Sequence, residues 1–140
     1  MTGKVLTMPF SVEVLHEGRL VLFHLVDPMN LQELKTYLQE HGKTLFDESQ
    51  HPVNVIYDCL LFHRLPADSL AQGMSMNRLN LFSYSGAVAV VTNQNFLSTL
   101  TELFAKLAHL GRIEFTHSMD EAFARMESVI RTQGGQGNAP

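Results

Sequence analysis

The chain has 140 residues, a mass of 15.7 kDa and a net charge of −4, from ten Lys and Arg against fourteen Asp and Glu. A chain of this length forms one domain and buries enough surface to fold without disulfides. A hydrophobic share of 45% excludes a disordered chain, and the scattered basic residues exclude an electrostatic footprint for nucleic acid. The single cysteine excludes an intramolecular disulfide.

The ends of the chain and its apolar runs bear on location and domain boundaries. Residues 1–9 contain no apolar run of the secretory type, and no run approaches the ~20 apolar residues of a membrane span. Together with the single cysteine, these features predict a cytoplasmic protein without a membrane span. We expect a loose leader over 1–7, one domain over 8–131 and a disordered tail over 132–140, where Gly, Gln and Asn prevail.

The first half of the chain predicts a hairpin followed by a strand–helix–strand unit. Apolar and polar residues alternate from Phe10 to Val14, a turn signal follows at Glu17-Gly18, and the next strand is apolar at nearly every position. A helix with Leu at helical spacing then leads to a β-branched strand, and this βαβ order predicts parallel pairing. The predicted elements are strands over 10–14, 19–26 and 52–57, and a helix from Asn30 that ends at Gly42 or continues through 46.

The second half continues the alternation of strands and helices. Residues 60–84 contain a short helix near Pro66 and are otherwise undecided, whereas 86–91 forms a buried strand. A helix from Asn95 to Gly111, a strand over 112–116, and a last helix opened by a capping box of Ser118 with Glu121 complete the chain. The order β-β-α-β-α-β-α-β-α predicts an α/β layered domain with a mostly parallel five-stranded sheet and an N-terminal antiparallel hairpin.

Polar side chains follow the predicted strands at their carboxyl ends, where ligands bind in open α/β sheets. They are Asp27, Asp58, Asn93 and His117. A carboxylate, an amide and an imidazole along one rim predict a binding edge, and Asp58 with His117 would serve acid–base catalysis in the alternative of a small enzyme. The same residue types also cap helices in proteins that catalyse nothing.

Reactive and metal-binding residue types show no spacing typical of a site. The seven His form no HxxxH, HxH or HExxH pattern, and Cys59 has neither a partner at ligand spacing nor a nucleophile elbow around it. The glycines after residue 133 follow no strand, so they do not form a phosphate loop. We expect no catalytic residue, no metal and no cofactor.

The hairpin also predicts which faces of the sheet are apolar. A two-residue turn at 17–18 places Phe10 opposite Leu25 on the core side and His24 opposite Ser11 on the other side. That second side is itself partly apolar, and a helix of the same chain, a partner subunit or a ligand must cover it. In the partner alternative the chain is a homodimer, with an apolar interface formed by Leu15, Leu20, Leu22 and Val26.

Three features of the second half carry a family resemblance. They are the strand Ala89–Val91 followed by Asn93, the strand end Phe115-Thr116, and the helix start Ser118–Ala122. In these features and in the element order over 10–130, the chain resembles the STAS and SpoIIAA-like domains, best known from anti-sigma-factor antagonists. The resemblance covers most of the chain and implies a small, non-enzymatic α/β domain that binds a protein partner.

The resemblance also implies specific residues. In partner-switching members, phosphorylation of a Ser or Thr in the loop after the third strand releases a kinase-like partner. Asp58 matches the first Asp of that loop and Asp68-Ser69 its Asp–Ser pair, which makes Ser69 the candidate phosphosite; the alternative is that Asp68 or Ser69 caps a helix. Other relatives bind lipids or other apolar small molecules, and such a cavity would be lined by Leu61, Phe62, Leu65, Met74, Met76 and Phe82.

Overall fold

The structure is a computed structural model that describes residues 4–8, 10–27, 31–61, 67–79, 81, 86–93, 96, 98–99, 101–102 and 113–138. The strands are β1 (Lys4–Met8), β2 (Phe10–Leu15), β3 (Leu20–Val26), β4 (Asn54–Leu61), β5 (Val88–Val91) and β6 (Ile113–Thr116). The α-helices with defined bounds are α1 (Leu31–Leu45), α2 (Ser69–Arg78) and α3 (Met119–Asn138), and a 3-10 turn spans His16–Gly18.

The strands form one mixed sheet whose spatial order, β1 to β6, is their order along the chain. The pairs β1–β2 and β2–β3 are antiparallel, and the pairs from β3 to β6 are parallel. The predicted α/β class, with a mostly parallel sheet behind an antiparallel hairpin, is confirmed. The sheet has a sixth strand because Lys4–Met8, which we expected to be part of a loose leader, pairs with β2.

Helices cover both faces of the sheet. Each parallel strand lies beside the next one in the chain, so right-handed crossovers bring the intervening helices to one face. There Leu34 and Leu38 of α1, Met76 of α2 and Phe96 pack into one core. The final helix α3 covers the opposite face around Met126. Among the described helices, none combines the length and apolar character needed to cross a membrane.

The second face corrects the predicted homodimer interface. Leu20 and Leu22 are 0% and 2% exposed, because α3 of the same chain packs over them with Met126. They are therefore part of the interior and cannot form an intermolecular surface. Leu15 is half-buried against the same cluster, and Val26 is half-buried further along β3.

The hairpin register is confirmed, but its loop is longer than the predicted two residues. Phe10 pairs with Leu25 as expected, and Leu15 pairs with Leu20, which leaves 16–19 as the loop. Three consecutive residues of this loop take positive φ, namely His16 at 52°, Glu17 at 57° and Gly18 at 90°. Only at Gly18 is that conformation free of a Cβ penalty.

The ends of two helices can be compared with the sequence analysis, which left the end of the first one open between Gly42 and residue 46. Helix α1 runs through Gly42 to Leu45, and the Phe46 N–H donates to the Gly42 carbonyl at 2.8 Å. Helix α3 continues to Asn138, across most of the segment that we expected to be a disordered tail over 132–140. The structure thus corrects both boundary predictions, since the leader contributes a strand and the tail a helix.

Candidate functional site

The carboxyl edge of the parallel strands carries the four predicted rim residues. Asp27 follows β3, Asp58 lies within β4, Asn93 follows β5 and His117 follows β6. Neighbouring strands lie about 4.8 Å apart, so three strand spacings place Asp27 and His117 roughly 14 Å from each other along this edge. The residues form a row rather than a cluster, and each has local partners.

Asp58 belongs to a network that spans three strands. Its Oδ2 lies 2.7 Å from His24 Nδ1, and His24 Nε2 lies 2.8 Å from Glu13 Oε2. The parallel register places His24 directly beside Asp58, and the Leu60 N–H donates to Asp58 Oδ1 at 3.1 Å. The side chains of His24, Glu13 and Asp58 are 30%, 26% and 17% exposed.

Hydrogen bonding determines what this network can do. Each ring nitrogen of His24 lies within hydrogen-bond distance of a carboxylate oxygen, so both nitrogens are occupied by partners within the chain. The network joins β2, β3 and β4 through the His24 side chain.

The pairing of Asp58 with His117 that the enzyme alternative requires is not formed. Asp58 bonds to His24, whereas His117 is exposed and lies two strands away, beyond β5. The His117 N–H donates to Glu121 Oε1 at 3.1 Å, and Ser118 Oγ accepts the Glu121 N–H at 3.1 Å. The capping role predicted for Ser118 and Glu121 is confirmed, and His117 takes part in it through its backbone.

Asn93 also serves a helix start. Its Oδ1 accepts the Phe96 N–H at 3.1 Å, so Asn93 caps the helical residues that follow. The predicted cap, Asn95, lies outside the described residues. At the other end of the row, the Asp27 N–H donates to the Leu61 carbonyl at 3.2 Å and extends the β3–β4 pairing. The rim therefore combines helix caps and strand ends with the His24 network.

Cys59 is not a reactive thiol. It is 2% exposed, and burial, together with the negative charge of Asp58, raises its pKa to about 12. At neutral pH the thiol is protonated and inaccessible, and it packs in the core as a small hydrophobe. Within the described ranges, no three His, Cys, Asp or Glu side chains are grouped so that they could hold a metal.

Ser69, the candidate phosphosite, is the first residue of α2 and is 5% exposed. A kinase must reach the hydroxyl that it phosphorylates, so this burial counts against the assignment. The alternative fits better, because the Asp68 carbonyl accepts the Gln72 N–H at 2.9 Å and Asp68 thus stands at the start of the helix.

The helix that follows exposes apolar side chains. Leu70 and Met74 lie one turn apart on α2, with 36% and 45% of their surface exposed. Leu61, at the carboxyl end of β4, is 66% exposed. We call these three residues the α2 patch. β4 ends and α2 begins at the same edge of the sheet, so the patch starts beside the rim.

The predicted lipid cavity is not formed by the described residues assigned to it. Met76 is buried in the core at 2% exposure, whereas Leu61 and Met74 face outward. Met74 and Met76 are two positions apart on α2, which places them about 200° from each other around the helix axis, so they cannot line one cavity. Phe62, Leu65 and Phe82 lie outside the described residues.

Reasoning from the sequence missed the partner of Asp58 and the α2 patch. The hairpin register already placed His24 on the same face as Glu13, and only the parallel register of β3 with β4 was needed to add Asp58. The α2 patch carried a weaker signal, because Leu70 and Met74 at helical spacing also match a buried stripe.

No family model, curated protein or solved structure matches this chain. The resemblance to STAS and SpoIIAA-like domains therefore stays a prediction.

Proposed function

We propose that this chain is a non-enzymatic, cytoplasmic protein-binding module that forms a homodimer through the α2 patch. One observation carries the proposal: Leu61, Leu70 and Met74 are exposed, whereas both faces of the sheet are covered by helices in the described part of the chain. Exposed groups of large apolar side chains mark interaction sites, since leaving them in water is unfavourable.

The state of the most reactive side chains supports a binding role over catalysis. Both ring nitrogens of His24 are engaged by carboxylates, and the thiol of Cys59 is buried and protonated. An acid–base or nucleophilic mechanism would require one of these groups to give up its partner or its burial.

The family resemblance points to the same part of the surface. In STAS and SpoIIAA-like domains the partner-binding loop follows the third strand. The strand predicted as the third one here is β4 of the structure, because Lys4–Met8 adds a strand before it, and the corresponding segment leads from β4 into α2. Because Ser69 is buried at this helix start, we propose that the contact does not depend on phosphorylation of that residue.

The proposal is tested by the mass in solution, measured by light scattering over a concentration series. The wild-type chain is expected to reach twice 15.7 kDa. The double variant Leu70→Gln/Met74→Gln replaces two exposed apolar side chains with a polar residue that also favours the helix. It should raise the dissociation constant of the dimer at least about tenfold, because it removes apolar surface from the contact.

Ala124→Gln/Ser128→Gln is the matched control, since both residues are exposed on α3 and also lie one turn apart. This control should dimerise like the wild type. A wild-type chain that stays monomeric at every concentration, or a dimer that the two double variants affect equally, contradicts the proposal.

A further inference from the structure

A cleft of about 660 Å³ opens between the second half of α1, the segment after it and the end of α2. Its apolar walls are formed by Leu38, Phe46, Leu79 and Leu81. Leu38 is buried and Leu79 is 48% exposed, so the apolar surface runs from the core to the mouth. Pockets that hold small organic molecules fall in the range of about 300–1,000 Å³ and are lined mainly by such side chains.

Gly42 lies on the wall of this cleft. It lies inside α1, where glycine is about 1 kcal/mol less favourable than alanine, and its backbone needs no positive φ. A Cβ built at Gly42 would meet nothing within 4 Å, so no packing in the described residues requires the glycine. A larger side chain at position 42 would therefore occupy open space beside the other residues that line the cleft.

The mouth of the cleft is charged. Lys43 contributes one ammonium group, and Asp47 and Glu48 contribute two carboxylates. Glu48 is anchored, because its Oε2 accepts the Val53 N–H at 2.9 Å. The Ser49 N–H donates to Asp47 at 3.0 Å and lowers the pKa of that carboxyl, so Asp47 is ionised at neutral pH. The lining groups therefore carry one net negative charge.

We propose that this cleft binds a small amphiphile whose apolar chain lies against Leu38, Phe46 and Leu81 and whose cationic head group lies at the carboxylates of Asp47 and Glu48. The site is separate from the proposed dimer contact, because Leu70 and Met74 do not line it. The chain thus combines a protein-binding surface with a pocket for an organic amine.

The test uses octylammonium and octanoate, which share a chain and differ in the charge of the head group. Each is titrated below its micelle concentration into the full-length chain, and binding is followed by ¹H–¹⁵N correlation spectra. Octylammonium should produce saturable shifts at Gly42, Leu79 and Leu81 and should bind several-fold tighter than octanoate. Gly42→Ala adds only a methyl group and should retain binding, whereas Gly42→Phe fills the cleft and should lose it.

Leu79→Ser provides a second variant at an exposed position, so it keeps the fold intact and should weaken octylammonium binding several-fold. The variant Leu70→Gln/Met74→Gln should bind octylammonium like the wild type even if its dimer is lost. Absence of saturable shifts, unchanged binding in Gly42→Phe and Leu79→Ser, or octanoate binding as tightly as octylammonium overturns the proposal.

Discussion

The side-chain amides of Asn54 and Gln133 form two reciprocal hydrogen bonds between the sheet and the final helix. Asn54 Nδ2 donates to Gln133 Oε1 at 3.0 Å, and Gln133 Nε2 donates to Asn54 Oδ1 at 3.2 Å. Asn54 also donates to the Arg19 carbonyl and accepts the Ala87 N–H, so its buried amide is fully satisfied. Gln133 thereby attaches the C-terminal half of α3 to Asn54 at the start of β4, and Asn54 in turn bonds to the residues just before β3 and β5.

Removal of the Gln133 amide should therefore destabilise the whole domain. We expect Gln133→Ala to lower the free energy of unfolding by about 1–3 kcal/mol, because it leaves a donor and an acceptor of the buried Asn54 without that partner. Thr132→Ala, at the neighbouring exposed position, should change it by less than about 0.5 kcal/mol. Urea unfolding followed by circular dichroism measures both, and equal effects would show that the amide pair does not anchor α3.

Two glycines should respond in opposite directions to the same substitution. A Cβ at Gly86 would lie 2.2 Å from the Val53 carbonyl oxygen and 2.4 Å from Asn54 Oδ1, so Gly86→Ala must displace backbone and should cost about 2–3 kcal/mol. Gly42→Ala meets nothing within 4 Å and should stabilise the helix by about 0.5–1 kcal/mol. Thermal unfolding of the two variants gives the signs, and loss of stability in Gly42→Ala would mean that the glycine has a backbone role.

The two carboxylates around His24 should contribute unequally to stability. Asp58 is less exposed than Glu13 and also accepts the Leu60 N–H. We expect Asp58→Asn to cost about 1–2 kcal/mol and Glu13→Gln about 0.5–1 kcal/mol. A double-mutant cycle of each with His24→Gln isolates the pairwise energies. A larger coupling for Glu13 than for Asp58 would contradict this ranking.

Cys59 makes stability depend on pH in the alkaline range. Its folded-state pKa is raised from 9.0 to about 12, so the unfolded chain releases the thiol proton first. The contribution of the buried, protonated thiol to the free energy of unfolding is fully present below pH 9 and is lost as the pH rises toward 12. Between about pH 9 and about pH 10 the wild type should lose about 1 kcal/mol relative to Cys59→Ala. A difference between the two chains that stays constant with pH would contradict the raised pKa.

The fold followed from the sequence where periodicity and chain order decide it. Alternation in Phe10–Val14 and the apolar run before Asp27 specified the hairpin register, and strand–helix alternation specified parallel pairing of β4 with β5. Long-range partners decided the rest. Lys4–Met8 forms a strand because it pairs with the edge of β2. The glycine-rich end of α3 continues from Gln133, which bonds to Asn54 of the sheet. Periodicity contains no information on either partner.

The positions of the rim residues were predictable in part, because the order of strands along the chain indicates where the strands end. Strand ends located Asp27, Asn93 and His117 at one edge of the sheet, as the structure has them, whereas Asp58 lies inside β4, which continues to Leu61. What each side chain does there depends on register and on burial. The parallel register made His24 rather than His117 the partner of Asp58, and burial removed Ser69 and Leu20 from the surface.

Cross-linking through a single introduced cysteine tests the proposed dimer most directly. Cys59 is buried and protonated, so a thiol introduced by Met74→Cys is the one that reacts in the folded chain. In a two-fold symmetric contact through the α2 patch, residue 74 of one copy lies near residue 74 of the other. A short bismaleimide should then give a covalent dimer with Met74→Cys and little with Ala124→Cys on the opposite face. Equal yields from the two variants, or no covalent dimer from Met74→Cys, would contradict the account.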